Sequence, residues 1–147
     1  MNTSFERSKQ TTDEWYTPKW IVDALGSFDL DPCAPENRLW NTAKRHITPS
    51  EDGLKTEWGG VRVWLNPPYS RPLIERFVEK MVRNNNGIAL LFNRCDSKMF
   101  QDLIFPNASA IMFVKGRIKF YRPDGTQENA KILEYSNIPG KYIKLNN

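Results

Sequence analysis

The sequence predicts an α/β domain, a mostly parallel sheet flanked by helices in the Rossmann-like manner, on three observations. Apolar runs rich in β-branched and aromatic residues alternate with segments whose apolar residues recur every three or four positions. Connections between them are long enough for right-handed crossovers. Two of the runs end in proline turns carrying Asp31 and Asn66, at the carboxyl ends where ligands of such sheets bind.

The 147 residues suffice for one buried core and are short for two domains. No stretch approaches the roughly 18 apolar residues of a membrane helix. Residues 1–12 are polar and read as a flexible segment without a secretory h-region, so cytoplasm is the expected location. Ordered structure is expected over 13–125, with 126–147 as a divergent tail. Cys33 and Cys95 lack metal or disulfide spacing and His46 is the single histidine, so no metal is expected. A net charge of +4 mildly favours a polyanionic partner.

In chain order, Thr17-Pro18 followed by Trp20, Ile21, Ala24, Leu25 and Gly26 predicts a helix with Thr17 as N-cap, Pro18 at the first position and Gly26 at the end. Residues 27–31 alternate apolar and polar and predict a strand that delivers Asp31. Residues 32–60 lack periodicity, which suits a ligand-lining segment with short hidden elements. Residues 61–65 form a second strand, stopped by the two prolines of Asn66-Pro67-Pro68-Tyr69. Leu73, Ile74, Phe77, Val78, Met81 and Val82 trace an amphipathic helix that ends in the asparagine run before Gly87. Residues 88–92 are continuously apolar, as in a strand buried on both faces. Asp96 or Ser97 caps a further short helix, and residues 109–114 form another strand.

Asn66-Pro67-Pro68-Tyr69 carries the chemistry. An exocyclic amine on an aromatic ring is a poor nucleophile because its lone pair is delocalised. Two acceptors aimed at its hydrogens draw the nitrogen toward tetrahedral geometry and face the lone pair to an electrophilic methyl group. Asn66 supplies a side-chain oxygen and Pro67 a carbonyl. Pro67 and Pro68 stiffen the loop, and Tyr69 offers a ring for base stacking. Alone, such a loop suits planar amines generally, glutamine amides and guanine amines included. Arg94, Arg117 and Lys119 fall where the sheet's ligand face and a late strand can meet the phosphates of a polyanionic partner, or remain solvated surface charges.

Asp13-Glu14-Trp15-Tyr16-Thr17-Pro18, Phe28-Asp29-Leu30-Asp31-Pro32-Cys33-Ala34, Asp52-Gly53-Leu54, Asn66-Pro67-Pro68-Tyr69 and Gly116-Arg117-Ile118-Lys119-Phe120 together resemble the phage Dam-like DNA N6-adenine methyltransferases. The resemblance runs in order from Asp13 to Gly125. It implies a class I methyltransferase fold and transfer of a methyl group from S-adenosylmethionine to a flipped adenine of double-stranded DNA, in the host cytoplasm for a phage-encoded protein. It implies that Trp15, Thr17 and Pro18 lie near the cofactor's methionine carboxylate. Asp31, Pro32, Cys33 and Ala34 would turn over its methionine part, with Asp31 on the ammonium. Asp52 would accept from its adenine amine with Leu54 behind, and Asn66 would border the same pocket. Plainer uses stand beside these: an N-cap for Thr17, a loop position for Asp31, an Asx-turn for Asp52, packing for Cys33 and solvation for His46.

From Glu128 onward the apolar closing strand implied by the resemblance is missing from the pattern, although Ile132-Leu133, Ile138 and Tyr142-Ile143 can be drawn as a weak hairpin around Pro139-Gly140. The expectation is a sheet truncated or altered at its C-terminal strands, with a catalytically impaired binding protein as the alternative function.

Overall fold

A computed structural model describes residues 15–127, and the backbone of a strand at Gly140–Asn146. Residues 1–14, 128–139 and 147, including the expected flexible N-terminus, Asp13-Glu14 and the hairpin residues up to Pro139, lie outside the described part.

The strands are β1 Leu30–Asp31, β2 Arg45–His46, β3 Val63–Leu65, β4 Asn86–Phe92, β5 Ala110–Phe113 and β6 Gly140–Asn146. They form one six-stranded sheet in the order β2-β1-β3-β4-β6-β5. β2, β1, β3 and β4 are mutually parallel, and β6 runs antiparallel to both β4 and β5. The parallel α/β expectation therefore holds, with one reversed strand inserted near an edge. The expected loss of a closing strand is corrected: Gly140–Asn146 pairs with the whole of β4 from Asn86↔Asn146 to Phe92↔Gly140. Lys141 and Lys144 hide this strand from an apolar-run search, but a ladder formed by backbone groups needs no apolar run.

Period-two alternation divides the core between the two faces of the sheet. Val63 and Leu65 of β3 and Ala89 and Leu91 of β4 pack with Phe77, Val78 and Met81 of α2 (Leu73–Asn84) and with Phe100 and Ile104. Trp64, Ile88 and Leu90 point the other way, onto Ile21 and Val22 of α1 (Lys19–Ala24) and onto Phe28, Ile118 and Phe120. β4 is buried at five successive positions, as its sequence demands. α2 ends where Asn85 turns left-handed, φ 54°, within the asparagine run. The helix expected after Asp96 contains a π-helical turn, Phe100–Ile104, before α3 (Phe105–Asn107), and the Ser97 hydroxyl accepts from the Phe100 amide at 3.3 Å.

Residues 32–60 do hide an element. β2 adds two residues beside β1, and the His46 imidazole accepts backbone N–H groups from Thr42 and Ala43 through Nε2 at 3.1 and 3.4 Å. His46 is thus a half-buried loop brace, not a solvated group, and burial lowers its pKa in keeping with a neutral ring.

Gly87 fixes the spacing of β3, β4 and α2. Its φ is +143°, and a Cβ there would overlap the Val63 carbonyl oxygen and lie 2.6 Å from Met81 Cε. Gly87→Ala is expected to destabilise the fold by about 2 kcal/mol or more. Urea denaturation checks this, and an unchanged midpoint would contradict the packing described.

Candidate active site

Asn66 follows β3 directly, so the strand sets its backbone while its side chain reaches beyond the sheet edge. Asn66 Nδ2 donates to the Trp15 carbonyl at 3.0 Å and to Thr17 Oγ1 at 3.2 Å. A backbone carbonyl only accepts, so the nitrogen must face Trp15 and the oxygen the opposite side. There the Tyr69 hydroxyl lies 3.0 Å from Asn66 Oδ1 and 3.1 Å from the Leu90 carbonyl, with one proton for two acceptors. The Tyr69 ring stacks on Phe92 at a centroid distance of 4.0 Å and an interplanar angle of 29°. Burial raises the phenol's pKa and keeps it protonated.

Thr17 is corrected as an N-cap. The helix begins at Lys19 with Pro18 in the cap position and no side-chain cap, while the buried Thr17 hydroxyl serves Asn66 instead. Gly26 does end the helix, one position beyond the cap residue Leu25, with φ +95°.

Beside Asn66 opens a cavity of about 400 Å³, lined by residues 32–35, 52–54 and 66–69 together with Trp15, Leu73, Arg76 and Phe77. Two loops build most of its wall, and they cross where no side chain fits: a Cβ on Gly53 would overlap the Pro32 carbonyl oxygen. The crossing is clamped from behind. Trp58 Nε1 donates to the Gly53 carbonyl at 2.9 Å, and Lys80 Nζ donates to the Leu54 and Thr56 carbonyls at 2.7 and 2.6 Å while sitting 5.3 Å from the Trp58 ring centroid. Asp52 has φ 61°, and its Oδ1 accepts from the Leu54 amide at 3.0 Å. It is therefore an Asx-turn residue and a wall residue at once.

A smaller cavity of about 30 Å³ adjoins through shared walls at Trp15, Tyr16, Cys33, Pro35 and Asn66, and adds Thr17, Asp31, Arg38, Trp40 and Thr42. Asp31, only 4% exposed, accepts from the Cys33 amide at 3.0 Å through Oδ1 and from the Thr42 hydroxyl through Oδ2. Both partners are neutral. Burial outweighs these hydrogen bonds and raises its pKa to about 6. Burial and then the nearby Asp31 push the Cys33 thiol well above its ordinary value, so it acts as a neutral packing group.

The structure thus brings Trp15, Pro32, Cys33, Ala34, Asp52, Leu54, Asn66, Pro67, Pro68 and Tyr69 around one cavity, with Thr17 and Asp31 in its annex. Pro18 is buried and lines neither space. Arg94 is exposed just past the carboxyl end of β4, and Arg117 and Lys119 are exposed on either side of the buried Ile118. These three cations line neither cavity. Sequence reasoning missed Arg76 and Phe77 as wall residues because α2 reads as an ordinary core helix. The available signal was spacing: Leu73, Arg76, Phe77 and Lys80 share one helical face.

The family model described as "DNA N-6-adenine-methyltransferase (Dam)" matches residues 5–137. A DNA N-6-adenine-methyltransferase of Haemophilus phage HP1 is 32% identical over 136 residues, covering 87% of this chain and 78% of its own length. One of Escherichia phage T1 is 32% identical over 144 residues, covering 92% of this chain and 59% of its own length. No solved structure matches the chain at a significant level. The match spans the strand ends, the Gly53 crossing and the Asn66 turn alike, and the chain belongs to the DNA N-6-adenine-methyltransferase (Dam) family.

Proposed function

We propose that this protein transfers a methyl group from S-adenosylmethionine to the exocyclic N6 of an adenine flipped out of double-stranded DNA. The observation that carries the reading is the Asn66 amide, whose two hydrogens are both engaged behind it so that its oxygen is presented beside the cavity.

The residues present fit the cofactor. A cavity of about 400 Å³ is within the range of nucleoside-sized sites. Its apolar walls, Leu54, Pro67 and Phe77, suit a purine, and the Asp52 carboxylate stands at the same wall as an acceptor for an adenine amine. Asp31 is desolvated with an amide and a hydroxyl as its hydrogen-bond partners, and the nearby Arg38 does not offset its burial, a setting to which an ammonium group would add a direct charge partner. The cofactor's sulfonium supplies the electrophilic methyl.

Asn66 Oδ1 accepts one hydrogen of the adenine amine and the Pro67 carbonyl the other, which turns the nitrogen lone pair out of the ring plane toward the methyl carbon. With the cofactor held by these residues, the amine nitrogen would take the methyl group as its bond to sulfur breaks, the electron pair staying with the departing thioether, and the amine would release one proton to solvent. When the amine takes Asn66 Oδ1, the single Tyr69 proton turns to the Leu90 carbonyl, which already lies within hydrogen-bond reach. Tyr69 then needs no new partner, and its ring, backed by Phe92, serves as the stacking surface. Arg94, Arg117 and Lys119 contact phosphates. The impaired-protein alternative loses its motive, because β6 supplies the strand thought to be missing.

Asn66→Ala is expected to lower turnover about 100-fold or more while leaving cofactor affinity within about threefold. Tritium transfer from labelled cofactor to unmethylated duplex, followed by nucleoside digestion, measures the first and calorimetry the second. Label in cytosine, or none from cofactor-bound wild type, refutes the proposed reaction.

Asp31 makes cofactor binding pH-dependent. Its carboxyl must be ionised to hold an ammonium, and its free-protein pKa is about 6. Affinity is therefore expected to fall about tenfold between pH 7 and pH 5 in the wild type and to stay flat in Asp31→Asn, as read by calorimetry. Without ligand the sign reverses. The folded state holds this proton more tightly than the unfolded chain, so the contribution to stability declines as pH rises from 3.8 to about 6 and is level above. Asp31→Asn should melt at or above the wild-type temperature at pH 7.5, with that advantage vanishing toward pH 4. A variant less stable at pH 7.5 than at pH 4, relative to wild type, would contradict this.

A further inference from the structure

We infer that Thr17 is a positioning residue for Asn66, one that fixes the direction of the amide oxygen. The inference rests on the reading of Asn66 as the amine acceptor given above.

The last torsion of an asparagine side chain joins an sp³ to an sp² carbon, so its preference is broad and roughly twofold. Local geometry alone therefore leaves the Asn66 oxygen free to swing over a wide arc. Hydrogen bonds must supply the missing direction, and one is insufficient because the amide can still pivot about it. On the nitrogen side Asn66 has two: the Trp15 carbonyl takes one Nδ2 hydrogen at 3.0 Å and Thr17 Oγ1 the other at 3.2 Å, and these are the ones that remain when the Tyr69 hydroxyl gives up Oδ1 to the amine. Both acceptors lie in the short segment before α1, 49 and 51 positions away in sequence. That segment is itself held in place: Tyr16 exchanges backbone hydrogen bonds with Tyr121 at 2.9 Å in each direction, and Trp40 Nε1 donates to the Thr17 carbonyl at 3.0 Å.

Burial supports the same assignment. Thr17 is 3% exposed and lines the annex, where its desolvated hydroxyl takes the Asn66 Nδ2 hydrogen. Pro18, beside it, lines neither cavity. The helix that follows has six residues and begins at Lys19 without a side-chain cap, so the threonine hydroxyl has no capping duty. A hydroxyl that accepts from Nδ2 also keeps its own proton away from Asn66, which prevents it from competing for Oδ1.

Displacing a reacting group by about 1 Å can cost about 100-fold in rate, so loss of one of two tethers should appear in the chemical step. Thr17→Val replaces the hydroxyl by a methyl of similar size. Its kcat at saturating cofactor and DNA is expected to fall about 10- to 100-fold, with cofactor Kd within about twofold of wild type, and Thr17→Ser is expected to recover most of the rate. A raised cofactor Kd with normal kcat at saturation would make Thr17 a cofactor ligand and overturn the inference, as would a valine variant normal in both.

A second measurement needs neither turnover nor a folded valine variant. In the wild-type protein both Asn66 side-chain amide protons, assigned by loss of their signals in Asn66→Asp, should exchange slowly with solvent. Fast exchange of either proton overturns the assignment. If instead both are protected and the wild type methylates nothing, the positioning role stands and the proposed reaction is what fails.

Discussion

The parallel pairing of β1, β3 and β4 is the constraint from which the site follows. Leu30 lies opposite Val63, and Val63 opposite Gly87, so three strands deliver their carboxyl ends to one edge. Asp31, Asn66 and Asn93 emerge there, where the backbone ladder stops and irregular chain begins. Loop amides and carbonyls still need partners. Side chains supply them: Asn66 for the Trp15 carbonyl, Asp31 for the Cys33 amide, Trp58 for the Gly53 carbonyl, Trp40 for the Thr17 carbonyl. The groups that would hold ligands are thus the same groups that hold the loops, which ties pocket shape to loop order.

Sequence patterns revealed this architecture where a period was long enough to be distinctive. α2 and β4 carry twelve and seven residues, and their 3.6-residue and continuous apolar patterns located them within a residue or two. β2, with two residues, has no period to detect and exists because Leu30 and Asp31 offer it a partner. β6 was hidden for another reason. Its lysines break the apolar pattern, whereas its pairing with both β4 and β5 is a matter of backbone groups. The site divides in the same way. Asn66 to Tyr69 and Asp31 stood out as residue types that are costly or unusual at strand ends, while Thr17 was misread because Thr-Pro before a helix looks the same whether the hydroxyl caps the helix or binds a side chain 49 positions away.

Asp31 shows how function sets itself against stability at this edge. A carboxylate 4% exposed with an amide and a hydroxyl as hydrogen-bond partners is desolvated by more than these and the nearby Arg38 offset, and its raised pKa records the shortfall. A purely structural loop would be served as well by asparagine. The cost is intelligible if a further, direct charge partner arrives with the ligand, because a carboxylate left short of compensation gains more from such a partner than one already satisfied.

Around Asn66 the electrostatics take the opposite form. Burial raises the pKa of the Tyr69 phenol and of the Cys33 thiol, so both stay neutral at physiological pH. Neither is suited to act as a base, and the chemistry asks for none: removing a proton from an aromatic amine before attack gains little when the lone pair is the group that must be redirected. What the site offers is a neutral oxygen held still, with its amide nitrogen committed on the far side and a phenol proton that can move between two acceptors without the ring moving. Orientation is supplied by hydrogen bonds the protein makes within itself, so little reorganisation remains for the reacting state. On the proposed reading, the pH response of such an enzyme would belong to Asp31 and cofactor capture, while the transfer step itself would be governed by geometry.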